Sequence, residues 1–298
     1  MTPTATPNRW VEFALLGLLA GLWGSSYLFI GIAIDSIPPL TLIATRVTIA
    51  AIFLGVVLRA LGDQLPRDGA TWRLLGIQAC LSAVGPWTLL AWGQQFIASG
   101  LAAVLNSTSP MFVFFITLLL TRHEATSGLK LFGACLGVAG VTLIVGTDVL
   151  AGVGEQVVAQ LAVLLSALLY GAAAIHGARF RNISPTATAA GTMICASACL
   201  LPLSLVVDRP WTLNPPAQAL GAAFCLGFFC TGVALLIYFR LIRTLGSMGA
   251  ASQSYLRAGV GVGLGIVILG ETITPVVGIG LAATILGVIA INARRSSG

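Results

Sequence analysis

Stretches of about 20 apolar residues recur along this chain, each long enough to cross a hydrocarbon layer roughly 30 Å thick as a helix. They fall near residues 11–34, 40–61, 74–93, 100–121, 130–148, 159–180, 186–207, 218–239, 248–269 and 274–292. The fold class expected is therefore an all-α polytopic membrane protein with ten transmembrane helices. Apolar residues make up 57% of the chain and charged residues 8%, too few charges to clothe a water-soluble domain. The gaps are short, which leaves no room for a soluble enzymatic domain.

The charges that remain are distributed unevenly. Twelve of the fifteen Lys and Arg residues fall at the termini or in every second gap: Arg9; Arg59, Arg67 and Arg73; Arg122 and Lys130; Arg179 and Arg181; Arg240 and Arg243; Arg294 and Arg295. The alternate gaps hold Arg209 alone, beside Asp35, Asp148, Glu155, Asp208 and Glu271. Cytoplasmic loops accumulate Lys and Arg, so this pattern predicts both termini on the cytoplasmic side of a bacterial inner membrane. It also assigns the net charge of +6 to lipid headgroups and orientation, with no nucleic-acid partner. The first apolar stretch is too long for the core of a cleavable signal peptide, and no small-residue cleavage site interrupts it. Cys80, Cys135, Cys195, Cys199, Cys225 and Cys230 all fall within expected spans and form no CxxC pair. They read as buried small apolar side chains, with no metal or cofactor expected.

A shift of 147 residues brings the halves into ungapped register. Pro38 meets Pro185, Gly24 meets Gly171, Leu89 meets Leu236, Ala103 meets Ala250, Glu124 meets Glu271, Gly133 meets Gly280, and Gly140-Val141 meets Gly287-Val288. Each half contributes five spans, an odd number, so the second copy enters the bilayer upside down. Residues 11–147 and 158–293 are thus expected to form two inverted five-helix repeats, an arrangement that holds solute near the midplane of a transporter.

Trp23-Gly24-Ser25-Ser26 in the first span, Arg46 in the second, Asn106-Ser107-Thr108-Ser109-Pro110 through Glu124 in the fourth, and Leu269-Gly270-Glu271 closing the ninth carry a resemblance. Over about residues 11–293 the chain resembles the EamA-type repeats of the drug/metabolite transporter superfamily. Within it, the chain is most similar to the YddG-type exporters of aromatic amino acids and related metabolites. The resemblance implies a basket of eight spans around a central cavity, with spans five and ten outside it. One departure stands out: Arg257 replaces the proline that family members often carry in span nine, opposite Pro110.

Charged side chains deep in a membrane cost on the order of 3 kcal/mol, so Arg46 and Arg257 need a reason. No Asp or Glu lies deep in any span to pair with them. Arg257 is open to two readings: it bonds backbone carbonyls at a helix break, or it offers its planar donor fork to a substrate carboxylate. For Arg46 the same carboxylate reading stands beside snorkelling to the outer interface or a clamp between helices, and an anionic solute would be expected to depend on both arginines. The missing acids also argue against a proton-driven pump; His176, near the cytoplasmic end of span six, suits an interfacial role.

Trp23 and its repeat counterpart Tyr170 are expected near the midplane, with Tyr27 and Trp87 somewhat further out. These rings either stack on an aromatic or apolar part of a solute or pack helices together. Trp10, Trp72 and Trp211 read as interfacial belt residues, and Trp92 is ambiguous. Asn106 to Ser109, and the run Ser252, Gln253, Ser254 and Tyr255 in the second copy, serve either as interhelical hydrogen-bond glue or as polar selectors. Asn106, Ser254 and Tyr255 are the candidates for selection. The glycines at 259, 261, 263 and 265 follow no strand and so make no phosphate loop.

The reading that joins these expectations is an inner-membrane transporter that exports amino acids, aromatic or neutral ones, and related small zwitterionic metabolites by alternating access as a facilitator. Its substrate-binding residues are expected to be Trp23, Tyr27, Trp87, Asn106, Tyr170, Ser254, Tyr255 and Arg257, and its partners a small solute and the lipid bilayer. A drug, nucleoside or nucleotide-sugar carrier is the alternative. An intramembrane enzyme is remote, since the chain has no HExxH, no GxSxG and no paired membrane acids.

Overall fold

The computed structural model describes residues 9–121, 128–150, 154–180, 182–251, 253–272 and 274–292. No strand occurs among them. Thirteen α-helices follow one another: α1 Arg9–Ile34, α2 Pro39–Ala60, α3 Gly69–Ala79, α4 Gly85–Gly93, α5 Ser99–Asn106, α6 Ser109–Thr121, α7 Gly128–Leu150, α8 Gly154–Gly177, α9 Pro185–Val207, α10 Ala217–Gly227, α11 Ala234–Ala251, α12 Gln253–Leu269 and α13 Pro275–Asn292. A π-helical turn, Cys80–Val84, joins α3 to α4, and another, Phe228–Val233, joins α10 to α11. Among the described residues seven apolar helical segments are long enough to cross a membrane. The other three expected spans coincide with the shorter apolar stretches Leu131–Ile144, Leu256–Leu269 and Pro275–Gly287.

The sequence sets the helix ends locally. Pro39 opens α2 and Pro185 opens α9, where a missing N–H costs nothing and the fixed φ suits the first turn. Ser184 caps α9 by accepting from the Ala187 N–H at 3.0 Å, and Asp68 caps α3 by accepting from the Thr71 N–H at 2.7 Å. Just past α2, Gly62 has a φ of +69°; its own N–H reaches the Arg59 carbonyl while the Asp63 N–H reaches that of Leu58. Acidic residues then close helix ends from a distance. Asp208, just past α9, accepts from both the N–H and the hydroxyl of Thr41 in the first turn of α2, each at 2.8 Å. Asp63, just past α2, accepts from the Ser184 hydroxyl at the start of α9.

That exchange is one instance of a general correspondence. α2 packs on α9 and α7 on α13, each pair joining counterpart helices. α1 packs on α12 as α8 packs on α6, and α10 packs on α2 as α3 packs on α9. Glycines set these close approaches. A Cβ on Gly24 would lie 2.7 Å from the Val260 side chain, and one on its counterpart Gly171 would lie 3.2 Å from the Val113 nitrogen. Val113 and Val260 are themselves 147 residues apart. Between α7 and α13, a Cβ on Gly140 would lie 2.6 Å from the Gly280 carbonyl oxygen, and one on Gly287 would lie 2.6 Å from that of Gly133. Small residues let helices approach where lipid supplies no hydrophobic drive for their association.

α7 and α13 lie to one side, meeting the remainder chiefly through α5, α6 and α8. The outward faces are apolar: Leu119, Val206 and Val267 are largely exposed, as lipid-facing residues would be. The expectation that all six cysteines are buried needs correcting. Cys80, Cys135 and Cys199 are exposed, Cys195 and Cys225 are half-buried, and only Cys230 is buried among the described residues. In a membrane helix a small apolar thiol is equally at home against lipid, so its position in a span did not decide its face.

Candidate functional site

Buried polar groups gather where α1, α2, α4, α5, α8, the Phe228–Val233 turn and α12 meet. The centre is Asn106, the last residue of α5, only 1% exposed. The helix breaks here. α6 starts at Ser109, and Pro110 in its first turn brings no N–H. The Ser107 and Thr108 hydroxyls donate to the Val104 and Leu105 carbonyls, both at 2.6 Å, and so satisfy part of the backbone at the break. The interruption holds the Asn106 amide among its neighbours. Its Oδ1 accepts from the Tyr27 hydroxyl at 3.3 Å and from Arg257 Nη2 at 3.4 Å, while its Nδ2 donates to Ser166 Oγ at 3.0 Å.

Arg257 is poorly satisfied there. Its Nη2 bond is long and ends on a neutral amide oxygen, and its buried Nε has no hydrogen-bond partner. Nε and Nη2 lie on one edge of the guanidinium, the edge that grips both oxygens of a carboxylate side-on.

Arg46 does not snorkel. It is 4% exposed, its Nε donates to Thr231 Oγ1 at 2.9 Å, and its guanidinium carbon lies 3.7 Å from the centroid of the Trp87 ring. The clamp reading therefore describes it, reinforced by a cation–π contact. A 22-residue helix could have carried the side chain to the interface, but Thr231 and the indole offer it partners closer at hand. Trp87 is itself pinned, its Nε1 donating to the Tyr170 hydroxyl. Arg257 thus shares the Asn106 oxygen with the Tyr27 hydroxyl, and Arg46 lies on the indole that Tyr170 holds.

The structure thus brings together Tyr27, Trp87, Asn106, Tyr170 and Arg257 of the expected residues. Trp23 stands apart, tilted against Tyr238 at 5.2 Å between centroids, with Leu16, Leu19, Ala234 and Leu241 around it. Ser254 and Tyr255 fall within α12, but their side chains lie outside the described residues. Sequence reasoning left Arg46 outside the expected binding residues, although it kept a carboxylate role open for it, and missed Ser166 and Thr231. Ser166 lies one helical turn before Tyr170 and shares its face, a signal the spacing could have supplied.

Among the described residues the cluster contains no carboxylate. Glu12 pairs with Arg240 at 2.9 Å, Asp35 and Glu155 are exposed, and Asp63, Asp68 and Asp208 serve helix ends. Glu271 accepts from the first two amides of α5, Ser99 at 2.6 Å and Gly100 at 2.9 Å. Gly270, with φ +69°, turns the chain after α12 so that this carboxylate reaches α5. It ties span nine to span four and suits the positive end of that helix. Beneath it, the Gln94 amide donates to the Tyr27 carbonyl at 2.9 Å and to the Ser99 hydroxyl at 2.8 Å. Elsewhere, His176 meets Gln78 at 2.9 Å, linking α8 to α3 away from the cluster. Trp10 and Trp211 are exposed, whereas Trp92 packs on Phe96.

The model of the EamA-like transporter family matches residues 12–146 and again 157–293. The chain belongs to the EamA-like transporter family. Membership makes it a multi-pass membrane transporter. It is 28% identical over 282 residues to the uncharacterized inner membrane transporter YedA of Escherichia coli, covering 94% of this chain and 90% of that protein. It is 24% identical over 279 residues to a probable terminal-alkyne amino-acid exporter of Streptantibioticus cattleyicolor, covering 91% and 90%. A solved crystal structure shares the fold with a TM-score of 0.64 at 18% identity, over 95% of this chain and 98% of that one.

Proposed function

We propose that this transporter exports amino acids and related small carboxylate-bearing metabolites across a bacterial inner membrane as a facilitator. It would alternate between two faces of a chamber lying between inverted five-helix repeats, residues 11–147 and 158–293. Ten crossings with both termini cytoplasmic follow from the distribution of Lys and Arg. The matched packing of α1 on α12 and α8 on α6 supports the repeats. An odd number of spans per copy makes them inverted.

One observation carries the substrate reading: the Nε/Nη2 edge of Arg257, its Nε without a partner and its Nη2 on a long bond to Asn106, in the cluster that also holds the linked rings of Trp87 and Tyr170. A solute carboxylate would take that edge, and its side chain would lie against the rings. Arg257 and Tyr170 are only half-buried, so solute can approach from their side. Among the described residues the carboxylates sit at helix ends or are exposed, with no acid at the cluster to carry a coupled proton, which favours a facilitator.

The name of the Streptantibioticus relative agrees with amino-acid export. Purified protein in liposomes should equilibrate labelled amino acids with no imposed proton gradient, and Arg257→Ala should abolish this flux. If wild-type vesicles move no amino acid faster than empty ones, the proposal fails.

A further inference from the structure

Among the described residues the proposed site holds two guanidinium groups and no acid, an imbalance that bears on which solutes it prefers. Arg257 bonds Asn106, which donates to Ser166, and Arg46 lies over Trp87, which donates to Tyr170 one turn along the same helix α8, so contacts link the two arginines across one cluster. Their hydrogen-bond partners, the Thr231 hydroxyl and the Asn106 amide, are neutral, and Trp87 adds only its π-face. Burying an ion costs several kcal/mol unless a counter-charge offsets it. Two fixed cations without a counter-charge leave the cluster short of negative charge.

A zwitterion brings one carboxylate but also an ammonium, and its ammonium would meet only neutral oxygens and two like charges. From this we infer that the site prefers solutes of net negative charge: carboxylates whose charge no ammonium balances, such as keto, N-acylated or dicarboxylic relatives of amino acids. The inference rests on the proposed site and narrows its substrate class. Arg46 becomes a specificity-determining residue, acting on the solute through its field while Arg257 grips the carboxylate.

A consequence concerns direction. A solute carrying one negative charge is driven out of a cell whose interior is negative, without any coupled ion. Per elementary charge the gradient sustained is about fifty-fold for each 100 mV. Net flow would then be export even through a symmetric facilitator, and the lack of membrane carboxylates would be no handicap.

Three solutes sharing one phenyl ring isolate charge: phenylpyruvate, an anion; phenylalanine, a zwitterion; and phenethylamine, a cation. Binding to the purified protein, read by Trp fluorescence or calorimetry, should rank them in that order, with phenylpyruvate about tenfold tighter than phenylalanine. Arg46→Gln should erase that preference, and Arg46→Lys should keep most of it. Both variants are to be compared as monodisperse protein. In liposomes, phenylpyruvate flux should follow an imposed potassium diffusion potential, while phenylalanine flux should ignore it. Phenylalanine binding as well as phenylpyruvate, or phenethylamine binding best, overturns the inference yet leaves amino-acid transport standing. So does a preference that survives Arg46→Gln. Absence of flux for both transported solutes instead strikes the transport reading on which it rests.

Discussion

The two halves of this molecule share a scaffold and differ at the site. Gly24 and Gly171 make the same close approach, as do Gly140 and Gly287. The residues around Asn106 show no such agreement. By the 147-residue shift Arg46 corresponds to Met193, Trp87 to Ala234, Tyr27 to Ala174, Ser166 to Leu19, Thr231 to Val84 and Arg257 to Pro110. Only Asn106 and Gln253, and the ring pair Trp23 and Tyr170, retain related chemistry. Backbone approach is a demand both copies must meet, because the same helices pack in both. A solute is asymmetric, so one set of polar groups suffices to hold it, and the counterpart positions are free to become apolar.

The largest expected effect strikes the scaffold. Gly140→Leu and Gly287→Leu should damage the protein equally, each by about 3 kcal/mol, because either side chain runs into facing backbone or Thr284. Size-exclusion profiles and thermal unfolding in detergent would check this. Damage from only one of the two would break the correspondence between halves.

Next comes the site. Asn106→Leu strips acceptors from Tyr27 and Arg257 and a donor from Ser166, and should cost about 2 kcal/mol and reduce flux strongly. Gln253→Leu should reduce flux much less, since the sequence counterparts of Tyr27 and Arg257 in the other copy are Ala174 and Pro110, which offer no side-chain donor. Equal losses would mean that the second copy contributes as much to binding as the first.

Helix-end carboxylates give smaller effects. Glu271→Gln and Asp208→Asn each weaken charge-assisted bonds to helix amides and should lower stability by about 1 kcal/mol. A much larger loss of flux than of stability for Glu271→Gln would show that its link between α12 and α5 takes part in transport. The smallest effect is at Asp68, where the Thr71 N–H holds the carboxyl below its ordinary value. A carboxyl depressed on folding contributes stability above its unfolded pKa and loses it as pH falls through the folded one. Acidification below about pH 4 should therefore release the first turn of α3, seen as faster hydrogen exchange at Thr71 while the spans stay protected.

Much of this was legible beforehand. The apolar stretches marked where helices run, and the shift of 147 residues paired Gly24 with Gly171 before their contacts were known. Pro110 announced the break that isolates Asn106, and Arg257 stood out as a charge without a partner. Arg46 was harder. Within an apolar helix, sequence offers the same side chain an interface, a carbonyl or a ring, and what separates them is which neighbour arrives. Trp23 illustrates the reverse, since midplane depth grouped it with Tyr170 while its face turned it toward Tyr238. Depth along a helix follows from residue count, but rotation about the axis depends on what packs there.

The chain's residues alone determined that it lives in a bilayer, where its helices run and that its halves are related, because transfer energies and positional matches are additive along a chain. Only the tertiary structure decided that Arg257 meets Asn106 while Arg46 lies on Trp87, in one cluster tied through Ser166 and Tyr170. Electrostatics there depends on distances between α2, α5, α8 and α12, elements up to about two hundred residues apart in sequence. No local pattern encodes such a distance.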